Sequence, residues 1–460
     1  MLPFSNLSED SAQEYFSDRL TEEVIAQLGT LCRGRVGVLA SWSSMAFKGS
    51  LQRARDVGDA LRADYLLEGS VRREGGRVRV AARLIETQSE TQTWSDAYDL
   101  AVDQELATQE EVAARFARAL AMELAPTTAT PGTAPPDASA YESYLKGRYY
   151  WNKPGDTGLD QALAYFGEGL RVAPTFAAAH AAMARGMVAR AEYYREVPRA
   201  ALARARDAAL RALELDPDHG EAHLALADVR RMLDLDWRGA ESSYARALAL
   251  HPTYDGVHRS YGLMLSGFAR HADAIRESER ARELDPFCLI VATSDAWMRY
   301  AAGDYEAAIA RCAHTIDLDP DYLMPRRVLG AAYLAAGREA DAVAALEAAV
   351  AVDGDDPVVL SWLAHAKAVT GARAEATALL NRARALEPVR YVPAFHLALA
   401  SVGLGDLSHA FALLNQAWLD RDPVLSTIAV EPRLAPLRDD ARYAELLERL
   451  HMPGLVVPIP

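Results

Sequence analysis

The residues best placed to do chemistry are a histidine pair, His219 and His223, in the string His219-Gly-Glu-Ala-His223. Two histidines one helical turn apart can ligate zinc. Metalloprotease chemistry also needs a glutamate directly after the first histidine to serve as base. Here the glutamate is Glu221, one position too late, and His219 falls at a segment boundary where a turn is expected. The pair reads as surface residues, and no metal site is assigned. Paired acids occur at Glu22-Glu23, Asp234/Asp236, Asp355-Asp356 and Asp439-Asp440. Most are expected at helix starts, where carboxylates accept from free N–H groups and favour the helix dipole. Arg72, Arg73, Arg77, Arg79 and Arg83 form a basic set without interleaved aromatics, which reads as a solvated sheet face rather than a base-stacking platform. The chain has no GxxxxGK[ST] loop, no GxGxxG, no HRD or DFG element and no GxSxG. No catalytic and no cofactor-binding residue is assigned, and the chain reads as non-enzymatic.

Composition narrows the partners. The 460 residues carry a net charge of −15, with a pI of about 5.3. That opposes nonspecific attraction to nucleic acid or anionic lipid, both of which need a positive field. Direct nucleic-acid binding is not expected. No apolar run reaches ~18 residues, so membrane insertion is not expected either. The start, Met1-Leu-Pro-Phe-Ser-Asn, has no basic region and no apolar run of the secretory kind. Cys32, Cys288 and Cys312 are scattered, with no CxxC pair, which fits a reduced, cytoplasmic setting.

The elements that would position any site follow a ladder. Segments end at Pro174, Pro217, Pro252, Pro286, Pro320, Gly354 and Pro388; after Pro217 the steps are 35, 34, 34, 34 and 34 residues. Proline cannot continue a helix and glycine tolerates the backbone that leaves one. Twelve positions before each terminator stands a small residue: Ala162, Ala205, Ala240, Ala274, Ala308, Ala342 and Ala376. Seven positions later comes another, usually alanine (Ala212, Ala247, Ala281, Ala349, Ala383), with Gly169 and Thr315 as exceptions. Small side chains let helix backbones approach at a crossing. Gly303, Gly337, Gly371 and Gly405 mark the inter-helix turns. With Leu329-Gly330 and Tyr333, and Tyr261-Gly262 and Leu265, this register resembles the tetratricopeptide repeat family. The resemblance implies a mostly α fold: an α-solenoid of about seven helix-turn-helix repeats whose first helices line a concave surface. By register that groove should present Arg259, Trp297, Tyr300, Arg327, His365 and Phe395, and aromatic and arginine side chains are the usual anchors of interfaces. The chaperone-type carboxylate clamp needs asparagines on these helices, and Asn6, Asn152, Asn381 and Asn415 occupy no such position.

The first 125 residues have a different texture. Tyr15–Leu31 has a helical period, with Phe16, Leu20, Val24, Ile25 and Leu28 on one face. Arg35–Ala40 suggests a buried strand and Leu51–Leu61 a helix. Asp64–Val71 and Arg77–Glu86 read as a hairpin around Glu74-Gly75-Gly76. Thr91–Asp96 suggests another strand and Asp103–Leu124 a helix. The segments MLPFSNLSEDSAQEYFSDRLTEEVIAQL, WSSMAFKG, DYLLEGSVRREGGRVRVAARLIE and TWSDAYD resemble the TolB-like (FlgO-like) amino-terminal domain. Arg19 stands where that family usually has glycine, and the strand leading into LPF is shorter than usual. Either this first strand is short or the start lies upstream, and a preceding effector domain is left open as one of these alternatives. The implied organisation is an α/β domain at 1–125, a Pro/Thr/Ala linker at 126–139, repeats at 140–423, and a capping helix and tail at 424–460. Such modules precede repeat arrays in bacterial signalling proteins. The resemblance implies a non-enzymatic scaffold that holds a protein or peptide partner on the concave surface. Its alternative is the regulatory half of a Ser/Thr kinase, adenylate cyclase or winged-helix regulator.

Overall fold

A computed structural model of the chain describes residues 1–8, 14–31, 38–39, 44–50, 52–74, 77–101, 116, 119–120, 137–151 and 156–452. The expected strand at Arg35–Ala40, the helix at Asp103–Leu124 and the linker lie wholly or largely outside the described residues.

The amino-terminal unit is a four-stranded sheet in the order β1-β2-β3-β4: β1 (Ser5–Asn6), β2 (Tyr65–Glu74), β3 (Arg77–Glu86) and β4 (Thr91–Ala101). β1 runs parallel to β2, and the other pairs are antiparallel. Alternation sets the two faces of β3. Val78, Val80, Ala82 and Leu84 are buried, while Arg77, Arg79 and Arg83 are exposed. Helix α1 (Glu14–Leu31) covers the apolar face with Phe16, Leu20, Val24 and Leu28, packed with Phe4, Leu67, Val71 and Phe116. Gly69 is required here, because a Cβ would stand 1.8 Å from the Phe4 ring. Two of the exposed arginines pair with acids across the strands, Arg83 with Glu68 at 2.6 Å and Arg79 with Asp99 at 3.9 Å. Helix α2 (Ala54–Leu61) follows α1, and nearby Phe47 rests on Phe287 of the helical array, ring centroids 5.8 Å apart.

The array consists of eight helix pairs: α3 (Ala138–Trp151) with α4 (Asp156–Val172), α5 (Ala177–Glu192) with α6 (Pro198–Leu215), α7 (Gly220–Val229) with α8 (Trp237–Leu250), α9 (Asp255–Gly267) with α10 (His271–Leu284), α11 (Leu289–Ala301) with α12 (Tyr305–Leu318), α13 (Leu323–Ala335) with α14 (Glu339–Val352), α15 (Pro357–Val369) with α16 (Arg373–Arg384), and α17 (Ala394–Gly403) with α18 (Leu407–Asp420). The eighth pair follows the last terminator, Pro388. The small residues of the register lie at the crossings: Ala162, Ala205, Ala240, Ala274, Ala308, Ala342 and Ala376 are all fully buried, and Ala410 continues them. Thr315 fits among the alanines because its hydroxyl donates to the Arg311 carbonyl at 2.8 Å.

From the third pair to the eighth, each turn between paired helices needs one left-handed residue. Gly303, Gly337, Gly371 and Gly405 supply it in the last four, with φ between 73° and 93°. Thirty-four residues upstream of Gly303 the same conformation falls on Ala269 (φ 57°), and one step further on Leu235 (φ 55°). Neither is glycine, so both turns carry backbone strain. Leu235 ends a π-helical turn, Arg230–Asp234, that closes α7.

After α18 the chain does not form another helical hairpin. It runs through two 3-10 helices, Pro423–Val430 and Pro432–Leu437, into the short α19 (Ala441–Arg449). This strap, 423–452, is much more than a charged cap. Leu425, Ile428, Leu434, Leu437 and Leu450 are at most 2% exposed and share one core with Ala296, Tyr300, Trp362 and Phe395 from the first helices of the repeats.

Candidate functional site: the covered inner wall

The inner wall is built from first helices, so its side chains recur at repeat spacing. Tyr300 on α11, Trp362 on α15 and Phe395 on α17 meet the strap, while His365 on α15 and His396 on α17 bond to Leu399, Trp362 and Tyr194. The strap meets them with charge. Glu431, fully buried, accepts from the Tyr300 hydroxyl at 2.8 Å. It also takes two bonds from the Arg433 guanidinium, at 2.8 and 2.9 Å, and one from the Arg433 N–H at 3.1 Å. Arg433 lies over the Trp362 ring, 3.7 Å from its centroid. Burial pushes the Glu431 carboxyl up, but Arg433 and these hydrogen bonds more than offset it and hold it below its ordinary value. Burial and the neighbouring carboxylate push the Tyr300 phenol well above its ordinary range.

A second polar chain crosses the wall. The Trp362 indole N–H donates to His396 Nδ1 at 2.9 Å. An indole can only donate, so Nδ1 is the acceptor and the proton of the neutral ring sits on Nε2. His396 Nε2 then donates to the Tyr194 hydroxyl at 3.1 Å, and Tyr194 donates to Asp422 Oδ1 at 2.8 Å. Burial, with Arg327 and Arg433 nearby, drives His396 well below its ordinary value. Burial pushes Asp422 up to about 7, against the bonds from the Val424 N–H and Tyr194.

Tyr194 belongs to the long turn between α5 and α6, so this chain ties the second repeat to the eighth. The seam continues on both sides. Arg199 donates to the Leu419 carbonyl at 3.2 Å, and Arg421 to the Leu233 carbonyl at 3.0 Å. Arg231 donates to the Ser426 hydroxyl at 3.0 Å, and the Trp237 indole to the Leu450 carbonyl at 2.8 Å. Arg231 is itself set by a buried group around Asp228, which accepts from Tyr244 at 2.6 Å and pairs with Arg185. Gly267 is where α9 meets the strap backbone: a Cβ there would be 2.1 Å from the Ser426 carbonyl oxygen.

Of the six groove residues expected from the register, three are closed off. Tyr300 and Phe395 are fully buried, and His365 is 5% exposed with its ring N–H on the Leu399 carbonyl at 2.7 Å. The reason is the strap, whose aliphatic residues have greater affinity for this wall than for water. Burial and Arg433 lower His365 to about 4. Trp297 is half-buried against Tyr300, ring centroids 5.2 Å apart. Arg259 is half-buried and pairs with Glu192 at 3.4 Å. Arg327 is half-buried beside the Met324 sulfur, and no carboxylate pairs with it among the described residues. Sequence reasoning missed Tyr194, Asp422, Glu431 and Arg433. The signal was the string LSTIAVEPRLAPL: its apolar density is too great for a tail, and it holds one Glu-Pro-Arg between prolines.

Of the histidine pair, His223 has a structural job. His223 Nε2 contacts the Pro217 carbonyl at 2.9 Å. His180 does the same to Pro174 at 2.9 Å, His258 to Pro252 at 3.1 Å, and Arg326 to Pro320 at 2.8 Å. Each side chain reaches back six residues to a carbonyl freed by a helix end. The paired acids act mostly as expected. Asp236, Asp356 and Asp440 cap α8, α15 and α19, but Glu22-Glu23 fall in the middle of α1. Asp255, Asp285 and Cys288 bring one ligand atom each within 4.8 Å of one another. Burial and both acids push that thiol far above its ordinary value, so it is protonated. An open cleft of about 660 Å³ lies beside the seam, floored by Trp237, Met264, Leu265 and Phe268 and edged by Arg270 and His451.

A tetratricopeptide-repeat family model matches residues 299–366. The chain carries tetratricopeptide repeats. It is 29% identical over 242 residues to the putative adenylate cyclase 3 of Rhizobium meliloti (strain 1021), an alignment covering 52% of this chain. The chain spans only 40% of that curated relative's length. Human IFIT1, solved as a dimer with PPP-AAAA, superposes with a TM-score of 0.51 at 12% identity, covering 94% of each chain. Pseudomonas aeruginosa pilF superposes with a TM-score of 0.37 at 18% identity, covering 50% of this chain and 96% of that one. At 12% identity the likeness to IFIT1 shows the fold alone. No helix among the described residues is long and apolar enough to cross a membrane.

Proposed function

We propose that the chain is a non-catalytic interaction scaffold of bacterial signalling, working in the cytoplasm, with a TolB-like amino-terminal unit and a protein or peptide partner held by the repeats. The observation that carries this reading is the inner wall itself. The first helices α11, α13, α15 and α17 share one core with the strap, and this surface already holds that polypeptide segment through matched charge and apolar contacts. Trp297, Arg259 and Arg327 are only half-buried, and we assign the partner's contacts to them. The test is amide exchange on the purified full-length chain with and without its partner. Protection along α9, α11 and α13 supports the scaffold, whereas protection confined to the sheet moves the function to the amino-terminal unit. Formation of cyclic AMP or another defined turnover by the chain alone would overturn the non-catalytic reading.

A second reading draws on the relative named a putative adenylate cyclase. Under it, the chain is the regulatory half of a cyclase, kinase or winged-helix regulator. An in-frame effector sequence upstream of the Met1 codon would favour it.

A further inference from the structure

The strap is held by the wall more than by itself. Its first half is two 3-10 helices, whose hydrogen-bond geometry is poor and which seldom persist alone. Pro423, Pro432 and Pro436 remove N–H donors from it. Its polar groups are nonetheless met one by one: Asp422 by Tyr194, Ser426 by Arg231, Glu431 by Tyr300, and Arg433 by the face of Trp362. A terminal cap needs only an apolar underside and a polar outer face. Buried ionic groups give little net stability, and where they are retained they can serve specificity. The attachment is also short. Arg421, in the left-handed region at φ 58°, joins α18 to Asp422 without glycine.

We infer that the inner wall is a recognition surface for a protein segment of acid-proline-arginine chemistry, which the chain's own strap occupies as a displaceable stand-in. The partner segment carries a carboxylate for Tyr300 and a guanidinium for the Trp362 face. Aliphatic side chains on either side take the places of Ile428 and Leu434. The inference rests on the scaffold reading and adds its regulation: a partner competes with the strap instead of entering an empty groove.

The test uses the full-length chain and a dye-labelled synthetic peptide of residues 422–438 supplied in trans. Glu431→Ala weakens the strap and leaves the wall intact; Glu431→Gln is the milder version should the first fold poorly. Amide exchange read by mass spectrometry follows 423–437. In the variant, strap amides should exchange faster than those of α9 and α11. Peptide capture should tighten at least tenfold over the unmodified chain, and adding Tyr300→Phe should remove that gain. If strap amides exchange only together with the repeats in every form, the strap is permanent core and the inference fails. It fails equally if the strap loosens and the peptide is captured no better. A partner complex that forms while the strap stays protected refutes the exchange and leaves the scaffold reading standing.

Discussion

Replacing Glu431 by glutamine takes one negative charge out of a sealed contact and leaves Arg433, 8% exposed, without its counter-charge. Breaking a buried pair from one side costs about 3–5 kcal/mol, because an uncompensated charge stays in a low dielectric. Removing both charges is far less costly, so Glu431→Gln with Arg433→Met should recover at least about 2 kcal/mol relative to the sum of the single variants. The four proteins would be unfolded in urea at pH 7, followed by far-UV circular dichroism and by tryptophan fluorescence, since Trp362 lies directly under the guanidinium. Added salt should change the coupling little, because buried pairs are weakly screened. The net depression of the Glu431 pKa gives the sign with pH. Its contribution is full above the unfolded carboxyl value and is lost as pH falls through the lower folded one. Additivity within about 0.5 kcal/mol, or a single-variant cost below about 1 kcal/mol, would refute the view that this contact is dry and coupled.

Three further outcomes follow from other positions. Asp422 is raised to about 7, so its burial as an anion opposes folding above that pH and the penalty fades as pH falls towards 4; Asp422→Asn should raise stability by a few kcal/mol, on the order of its pKa shift, at pH 8 and by almost nothing near pH 4, measured by urea midpoints. Ala269→Gly relieves a left-handed residue and should stabilise by roughly 0.5–1 kcal/mol after the entropy of glycine is subtracted, read as a rise in melting temperature. His223→Ala removes a bond to the Pro217 carbonyl and should cost about 0.5–1.5 kcal/mol, while the melting temperature of the unmodified chain stays unchanged on adding zinc.

Much of the array was legible because its register is set by sterics. The positions of Ala205, Ala240, Ala274 and Ala308 are dictated by helix contact, since a close backbone crossing in every repeat admits little larger than a methyl group. The same register placed Tyr300, His365 and Phe395 on the inner wall, but it describes only neighbours within one or two repeats. What closes over Tyr300 is Glu431, 131 residues further along the chain. No periodic signal spans that separation. The histidine pair reads in the sequence as surface residues with no metal site, and the sequence alone does not show what His223 does; only the equivalent contacts of His180 and His258 reveal its turn-locking role. The sheet was legible from alternation in β3 alone, whereas the length of β4, reaching Ala101, was not, because its outward residues are small and polar.

A chain of repeats normally behaves like a zipper, fraying from whichever end is weaker. The seam between Tyr194 and Asp422 changes that mechanical character. With the eighth repeat fastened to the second, loosening the last helices no longer sheds a terminal unit alone. It also takes support from α6 and the π-turn at Arg230–Asp234, a linear distance of nearly half the protein away. The array is a hoop, and a hoop answers stress anywhere along its rim. Damage at Asp422 should therefore appear as lost cooperativity across all repeats between the two, with the first helix pair, outside the hoop, melting on its own schedule.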